Sequence, residues 1–317
     1  MIGYVANTDY EWYRFLESHP ELDEINFWLP RDTRSWRAIP AGAPFFFKLK
    51  RPHYAICGFG FFARHSVLPA WWAWNSFGIG NGAATFQQMR ERIEPLRREQ
   101  HSDPAGNYDI GCLIISQPTF FAPHEWIAQP SDWHANVVQG TTYDLSEGEG
   151  KRIWKECLIR ASHRPQSFST STKDPELPLI AFPPQRYGPE TIVRPRLGQG
   201  AFRVAVLDAY NRTCAVSEEH SLPALESAHI KPYAESGTHH VSNGLLLRAD
   251  IHRLFDLGYV TVTPGYRFEV SQRLREDYSN GKSYYPLHGK EIHKPKCPEL
   301  LPDPVLLQWH NEERFLG

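Results

Sequence analysis

"LESAHIKPYAESGTHHVSNGLLLRADIHRLFDLG", running from Leu225 to Gly258, gathers four histidines around short apolar runs and Asn-Gly turn chemistry. Its first part, "ALESAHI", reads as a strand, and "KPYAESGTHHVSNG" as a polar loop. The run "LLLRADIHRLFDLG" continues into a helix that Gly258 stops. His229 then sits near a strand end and Asn243 in the loop that returns the chain. His252 and Asp256, four residues apart, share one helix face. Strand, loop and helix can thus aim a base, an orienting amide and metal ligands into one small volume. A divalent ion there would stabilise charge on a phosphate and its leaving oxygen, while a neutral imidazole deprotonates water. These residue types suit phosphodiester hydrolysis. The adjacent His239 and His240 read as ordinary loop histidines, and Cys214 as a small core residue.

Outward from this stretch the pattern stays regular. Upstream, "GQGAFRVAVLDAYN" reads as an amphipathic helix; downstream, "YVTVTP" and "YRFEVSQ" read as a hairpin around Pro264-Gly265. From Gln185 to Val216 the arginines Arg186, Arg194, Arg196, Arg203 and Arg212 face only Glu190 and Asp208. That local excess permits a phosphate contact although the whole chain carries a net charge of −2.

Across its 317 residues the chain is 41% hydrophobic and 22% charged, the balance of a globular protein with room for two domains. No apolar run is long enough to span a membrane. The opening "MIGYVANTDYEWYRFLESHP" lacks the basic and apolar regions of a secretory signal, so a cytoplasmic location is expected. Scattered Cys57, Cys112, Cys157, Cys214 and Cys297 form no CxxC pair, which fits free thiols and argues against a cysteine-rich zinc site. A serine-hydrolase reading fails because no G-x-S-x-G elbow occurs, and "GIGNG" near Gly78 lacks the lysine of a phosphate loop.

Nine of the ten tryptophans lie in the first 160 residues, and only Trp309 lies beyond. Between the halves, "SHRPQSFSTSTKDPELPLIAFPPQRYGPE" is rich in Ser, Thr and Pro without periodicity and reads as a linker. Domains are therefore expected at 1–160 and 191–317, with a linker over 161–190. In the first half "PFFFKLK", "HYAICGFGFFA" and "YDIGCLIISQPTFFA" read as strands. "ATFQQMRERIEPLRREQ", interrupted by Pro95, and "GEGKRIWKECLIRA" read as helices. The mixture predicts an α+β class with a compact, curved barrel and inserted helices.

The order His229, Asn243, His252, with "AHI", "NGLLL" and "DIHRLFD" around it, resembles the HNH endonuclease family, whose core is the ββα-metal fold. "RLGQGAFRVAVLDAYNRTCAVS" likewise resembles the lead-in helix of bacterial HNH proteins from restriction systems. The resemblance implies that His229 is the general base, that Asn243 holds its loop and orients the imidazole, and that His252 is a metal ligand. Many members place a second ligand just before the base, where this chain has Ala228. Asp256, by its spacing from His252, and Glu226, on the strand, are the candidates to replace it. Mg²⁺ is the expected ion, with Mn²⁺, Co²⁺ or Ni²⁺ as alternatives. Arg196, Gln199 and Arg203 are candidates for phosphate contact.

Residues 1–160 resemble the PUA superfamily, its EVE and ASCH branches in particular, through "YVANTDYEWY", "AGAPFFFKLK", "ICGFGFFA" and "IGCLIISQPTFF". EVE-like and SRA-like domains joined to HNH domains resemble restriction enzymes acting on modified DNA. That resemblance implies an aromatic pocket for a flipped 5-methyl- or 5-hydroxymethylcytosine. Trp28, Trp36, Trp74 and Phe77 are the candidate walls, and Asp109 the candidate acceptor for the cytosine amino group. Double-stranded DNA is the expected partner, and a homodimer would pair two single-strand cutters. Two other readings stay open: an HNH nuclease on unmodified DNA, and a PUA-like RNA-binding protein whose HNH half is structural.

Overall fold

The computed structural model describes residues 1–31, 36–97, 102–162, 198–235 and 237–317. Contacts divide the chain into Met1–Arg196 and Leu197–Gly317. Most of the expected 161–190 linker, and Arg196, lie outside the described residues. Among the described residues no helix is long and apolar enough to cross a membrane.

In the first unit the elements are β1 (Ile2–Thr8), α1 (Tyr10–Glu17), β2 (Glu24–Leu29), β3 (Pro44–Leu49), β4 (Ala55–Pro69), α2 (Ala70–Phe77) and α3 (Phe86–Ile93). After them come β5 (Asp109–Phe120), β6 (Ile127–Ala128), β7 (Gly140–Asp144) and α4 (Gly148–Ser162). One sheet runs β2-β5-β4-β3-β1-β7, with β6 beside β4. β1 and β3 are parallel and the other pairs antiparallel. The class is α+β, as expected.

The run of phenylalanines in β3 follows from burial on both sheet faces. Phe45 and Phe47 join a core with Trp12, Tyr13 and Leu16 of α1, whereas Phe46 joins Ile153 and Cys157 of α4. Asp9 caps α1 by accepting from the Trp12 amide at 3.0 Å. Gly58 is demanded by the β4–β5 approach, since a Cβ there would lie 2.4 Å from the Thr119 carbonyl oxygen. Residues 71–74, "WWAW", form a helix directly after Pro69, an element the aromatic composition alone conceals.

The second unit comprises α5 (Gln199–Ala209), β8 (Leu225–His229), β9 (Gly244–Arg248), α6 (Ala249–Asp256), β10 (Val260–Val262), β11 (Phe268–Val270), α7 (Arg273–Tyr278) and α8 (Pro304–Glu313). β8–β9 and β10–β11 are antiparallel pairs, the second being the expected hairpin. α5 departs from the amphipathic expectation. Gly200, Ala201, Phe202, Val204, Ala205, Val206 and Leu207 are all buried, so the helix is enclosed nearly all round rather than along one stripe.

α8 is fastened through a buried histidine. His310 stacks on Phe255 of α6 at 3.7 Å between centroids. Its Nε2 donates to the Phe255 carbonyl at 3.1 Å, leaving Nδ1, 2.8 Å from Thr261 Oγ1, to accept from that hydroxyl. Burial lowers its pKa to about 4, against a smaller opposing effect of the Phe255 bond. The fold therefore favours the neutral ring. Above pH 6.5 that contribution is complete; it is lost as pH falls from about 6.5 to about 4, because only the unfolded chain takes the proton there. At 1.36 kcal/mol per unit the loss is on the order of 3 kcal/mol. Pulse proteolysis in urea, scored on the second unit, should show His310→Gln less pH-dependent than wild type by about this amount. Parallel pH dependence of the two proteins would contradict the assignment.

Candidate active site

β8 and β9 pair so that His229 lies opposite Gly244. Side chains alternate along β8. Ser227 bonds the Arg203 carbonyl of α5 at 3.0 Å and His229 stacks on Phe202 of α5, whereas Glu226 reaches α6. Gly244 allows α5 this close, because a Cβ there would fall 2.5 Å from Val206 Cγ2. The ends of the loop beyond the strands, Ile230 and Asn243, stay joined, the Ile230 amide donating to the Asn243 carbonyl at 2.9 Å.

Asn243 is fully buried and closes that loop. Its Oδ1 accepts from the Lys231 amide at 2.9 Å, and its Nδ2 donates to the carbonyls of Lys231 at 2.9 Å and Thr238 at 2.8 Å. Both amide ends are thus spent on backbone, and the His229 ring is not among its partners. What the ring meets is His239, whose Nδ1 lies 3.1 Å from His229 Nε2. Phe202 stacks on His229 with centroids 3.9 Å apart and planes 11° from parallel. Burial, and then the neighbouring His239, His252 and Arg203, push the pKa of His229 down to about 4. The imidazole is consequently neutral at physiological pH, the state a general base needs.

His252 projects from α6 between two carboxylates. Its Nδ1 lies 2.6 Å from Glu226 Oε2 and its Nε2 lies 3.4 Å from Asp256 Oδ2. The carboxylates flank opposite nitrogens, so one ion on His252 cannot take both. A short bond to Glu226 makes Nδ1 the protonated nitrogen and leaves the Nε2 lone pair on the side of Asp256. Two donors 3.4 Å apart suit an ion about 2.1 Å from each. Among the described residues no group of three or more His, Cys, Asp or Glu side chains gathers as a metal site. The chain's donors therefore fit a divalent ion as a pair, with water and phosphate oxygens to complete its shell. Beside them Asp250 is held by Arg248 at 2.6 and 2.7 Å and by the Tyr284 hydroxyl at 3.0 Å.

Of the phosphate-contact candidates, Gln199 is exposed in the first turn of α5 and Arg203 is half-buried on the same helix. In the first unit Trp28 and Trp36 are half-buried and pack against one core cluster. Trp28 Nε1 donates to the Asn81 carbonyl at 3.1 Å, and Trp36 lies against Tyr4 and Phe62 at centroid distances of 5.5 and 4.9 Å. Trp74 is half-buried on α2 beside Phe86 at 6.2 Å, Phe77 is buried at the end of α2, and Asp109 begins β5. Among the described residues no ring contact joins Trp36 to Trp28, Trp74 or Phe77.

His239 and Phe202 are the residues that sequence reading passed over. Loop histidines carry no periodicity, and Phe202 looks like any core aromatic. The available signal was the Asn243 spacing, since an asparagine that closes a loop also places whatever the loop carries.

Residues 214–263 match the model of the HNH endonuclease family. No curated protein matches the chain. Among solved structures, the ASCH protein from Zymomonas mobilis aligns over 48% of this chain and 94% of its own, at 13% identity and a TM-score of 0.32. A modification-dependent restriction endonuclease, TagI, aligns over 93% of this chain and 76% of its own, at 13% identity and a TM-score of 0.28.

Proposed function

We propose that this chain, whose residues 214–263 form an HNH endonuclease domain, is a metal-dependent endonuclease that cuts double-stranded DNA carrying modified cytosine. The HNH domain makes it a nuclease. One observation carries the reading of its site: strand β8 holds His229, stacked on Phe202 and bonded to His239, three residues after Glu226, whose carboxylate bonds His252 of α6. In this reading His229 takes a proton from water, Asn243 holds the loop above it, and His252 with Asp256 holds a divalent ion, Mg²⁺ by expectation. The ion supplies charge stabilisation at the phosphate when bound. Glu226 orients His252 through Nδ1. Gln199 and Arg203 supply phosphate contacts from α5 at the start of the second unit, joined by Arg196, which precedes that unit in sequence.

Residues 1–160, within the first unit, are the specificity device in this proposal, a PUA-like reader with 161–190 as linker and 191–317 as cutter. Half-buried Trp28, Trp36 and Trp74 have the amphipathic placement that base stacking needs. Flipping a base costs a few kcal/mol, and stacking returns about 1 to 3 kcal/mol. Two copies would deliver the two cuts of a double-strand break.

A gel shift without metal tests the division of labour on the full chain carrying His229→Ala. Duplexes identical except for 5-methyl- or 5-hydroxymethylcytosine should bind roughly tenfold tighter than plain duplex. Equal affinity for both, together with tight binding of RNA, would replace the modified-DNA reader with an RNA reader.

A further inference from the structure

The stack on Phe202 fixes the plane of the His229 ring but not its orientation within that plane. A half-turn of the ring preserves the stack while exchanging each nitrogen for a carbon. Among the described residues the hydrogen bond to His239 is what distinguishes the two orientations, because it requires Nε2 to face His239 Nδ1 at 3.1 Å. No other hydrogen-bond partner of the His229 ring occurs among the described residues, so Nδ1 is the nitrogen left over.

The same bond admits two tautomers, and the role of base chooses between them. Two neutral imidazoles joined Nε2 to Nδ1 share one proton. If His239 donated it, His229 would carry its own proton on Nδ1 and have no lone pair left for water. If His229 donates through Nε2–H, its Nδ1 lone pair is available. We infer that His239 is a positioning residue that accepts the Nε2–H of His229, fixing ring orientation and tautomer so that Nδ1 is the basic nitrogen. The inference rests on the HNH reading of His229 as general base. Once Nδ1 takes the water proton, the ring is an imidazolium and its Nε2–H bond to His239 becomes charge-assisted, hence stronger. That strengthening holds for a neutral His239; a protonated His239 cannot accept the bond and repels the imidazolium, which is the sense in which it lowers the His229 pKa.

The loop architecture supports this assignment. Asn243 Nδ2 holds the carbonyl of Thr238, the residue before His239, at 2.8 Å. His239 also lies against Phe202, with centroids 5.9 Å apart, so one phenylalanine braces both imidazoles. Asparagine thus acts on the base at one remove: it sets the loop, and the loop sets His239.

Two measurements on the full chain test the inference. In single-turnover cleavage with saturating Mg²⁺, His239→Ala should lower the rate constant roughly 10- to 100-fold, with DNA affinity changed less than about twofold. His239→Asn places an amide oxygen near the Nδ1 position and should recover most of the loss, whereas the similarly sized but apolar His239→Leu should recover none. A purely structural role would make Leu as good as Asn, and that result would overturn the inference, as would a His239→Ala rate within about twofold of wild type. Independently of cleavage, ¹⁵N-histidine NMR of the metal-free chain, assigned with His229→Gln, should show His229 protonated at Nε2, and a mixture of tautomers in His239→Ala. Protonation of His229 at Nδ1 in the wild type would overturn the inference. Failure of the wild type to cut any nucleic acid would instead remove the nuclease proposal, leaving the NMR result to decide the tautomer.

Discussion

His229→Ala is expected to abolish cleavage while leaving the fold and DNA binding almost unchanged. A positioned general base contributes about 10² to 10⁴ in rate. Here the proposed base is half-buried and stacked on Phe202, and burial lowers its pKa to about 4, which favours the neutral ring. Removing the side chain forfeits the stack, a loss of about 0.5 to 1.5 kcal/mol, which the surrounding core can bear. Phe202, Val206, Leu245, Leu246 and Phe255 are buried core residues of the same unit. Rates measured at saturating Mg²⁺, beside circular dichroism and gel shifts, check the separation. Cleavage within about tenfold of wild type in a folded His229→Ala protein would remove this residue from the chemistry.

The second large effect concerns the ion. His252→Ala should eliminate metal-dependent cleavage, and Asp256→Asn should raise the Mg²⁺ needed for half-maximal rate by about tenfold or more. Extra metal should restore Asp256→Asn in part, whereas it cannot restore a missing base. The proposal gives Glu226 another task, because its 2.6 Å bond lies on Nδ1, away from the Asp256 side of the ring. Glu226→Gln still offers an oxygen to that N–H and should need no more than about threefold extra metal. Titrating Mg²⁺ against rate for the three variants decides the matter. If Glu226→Gln needs far more metal and Asp256→Asn behaves as wild type, the two carboxylates have been assigned the wrong way round.

Local patterns made much of the second unit legible. Strand β8, the turn into β9, the helix from Ala249 and its stop at Gly258, where φ is +78°, all follow from neighbours in sequence. β3, β4 and β5 were equally readable, since aromatic and branched runs bounded by Pro and Gly have few other uses. Other features depended on partners distant in sequence. α5 is buried nearly all round because a β-hairpin covers a face that its sequence leaves ambiguous. The pairing of His239 with His229 joins residues ten positions apart, beside the Thr238 carbonyl that Asn243 holds. Which carboxylate faces which nitrogen of His252 likewise depends on how β8 crosses α6, and no spacing rule encodes that.

The measurement closest to the central claim is cleavage by the full chain of matched plasmids carrying cytosine, 5-methylcytosine, 5-hydroxymethylcytosine or glucosylated cytosine, with RNA alongside. Each substrate is incubated with Mg²⁺, Mn²⁺, Co²⁺, Ni²⁺ or a chelator. The account predicts cutting of the 5-methyl or 5-hydroxymethyl plasmid with a divalent ion present, an intact plain plasmid, and no cutting under chelation. Equal cutting of plain and modified plasmids, cutting of RNA alone, or cutting that survives the chelator would contradict it.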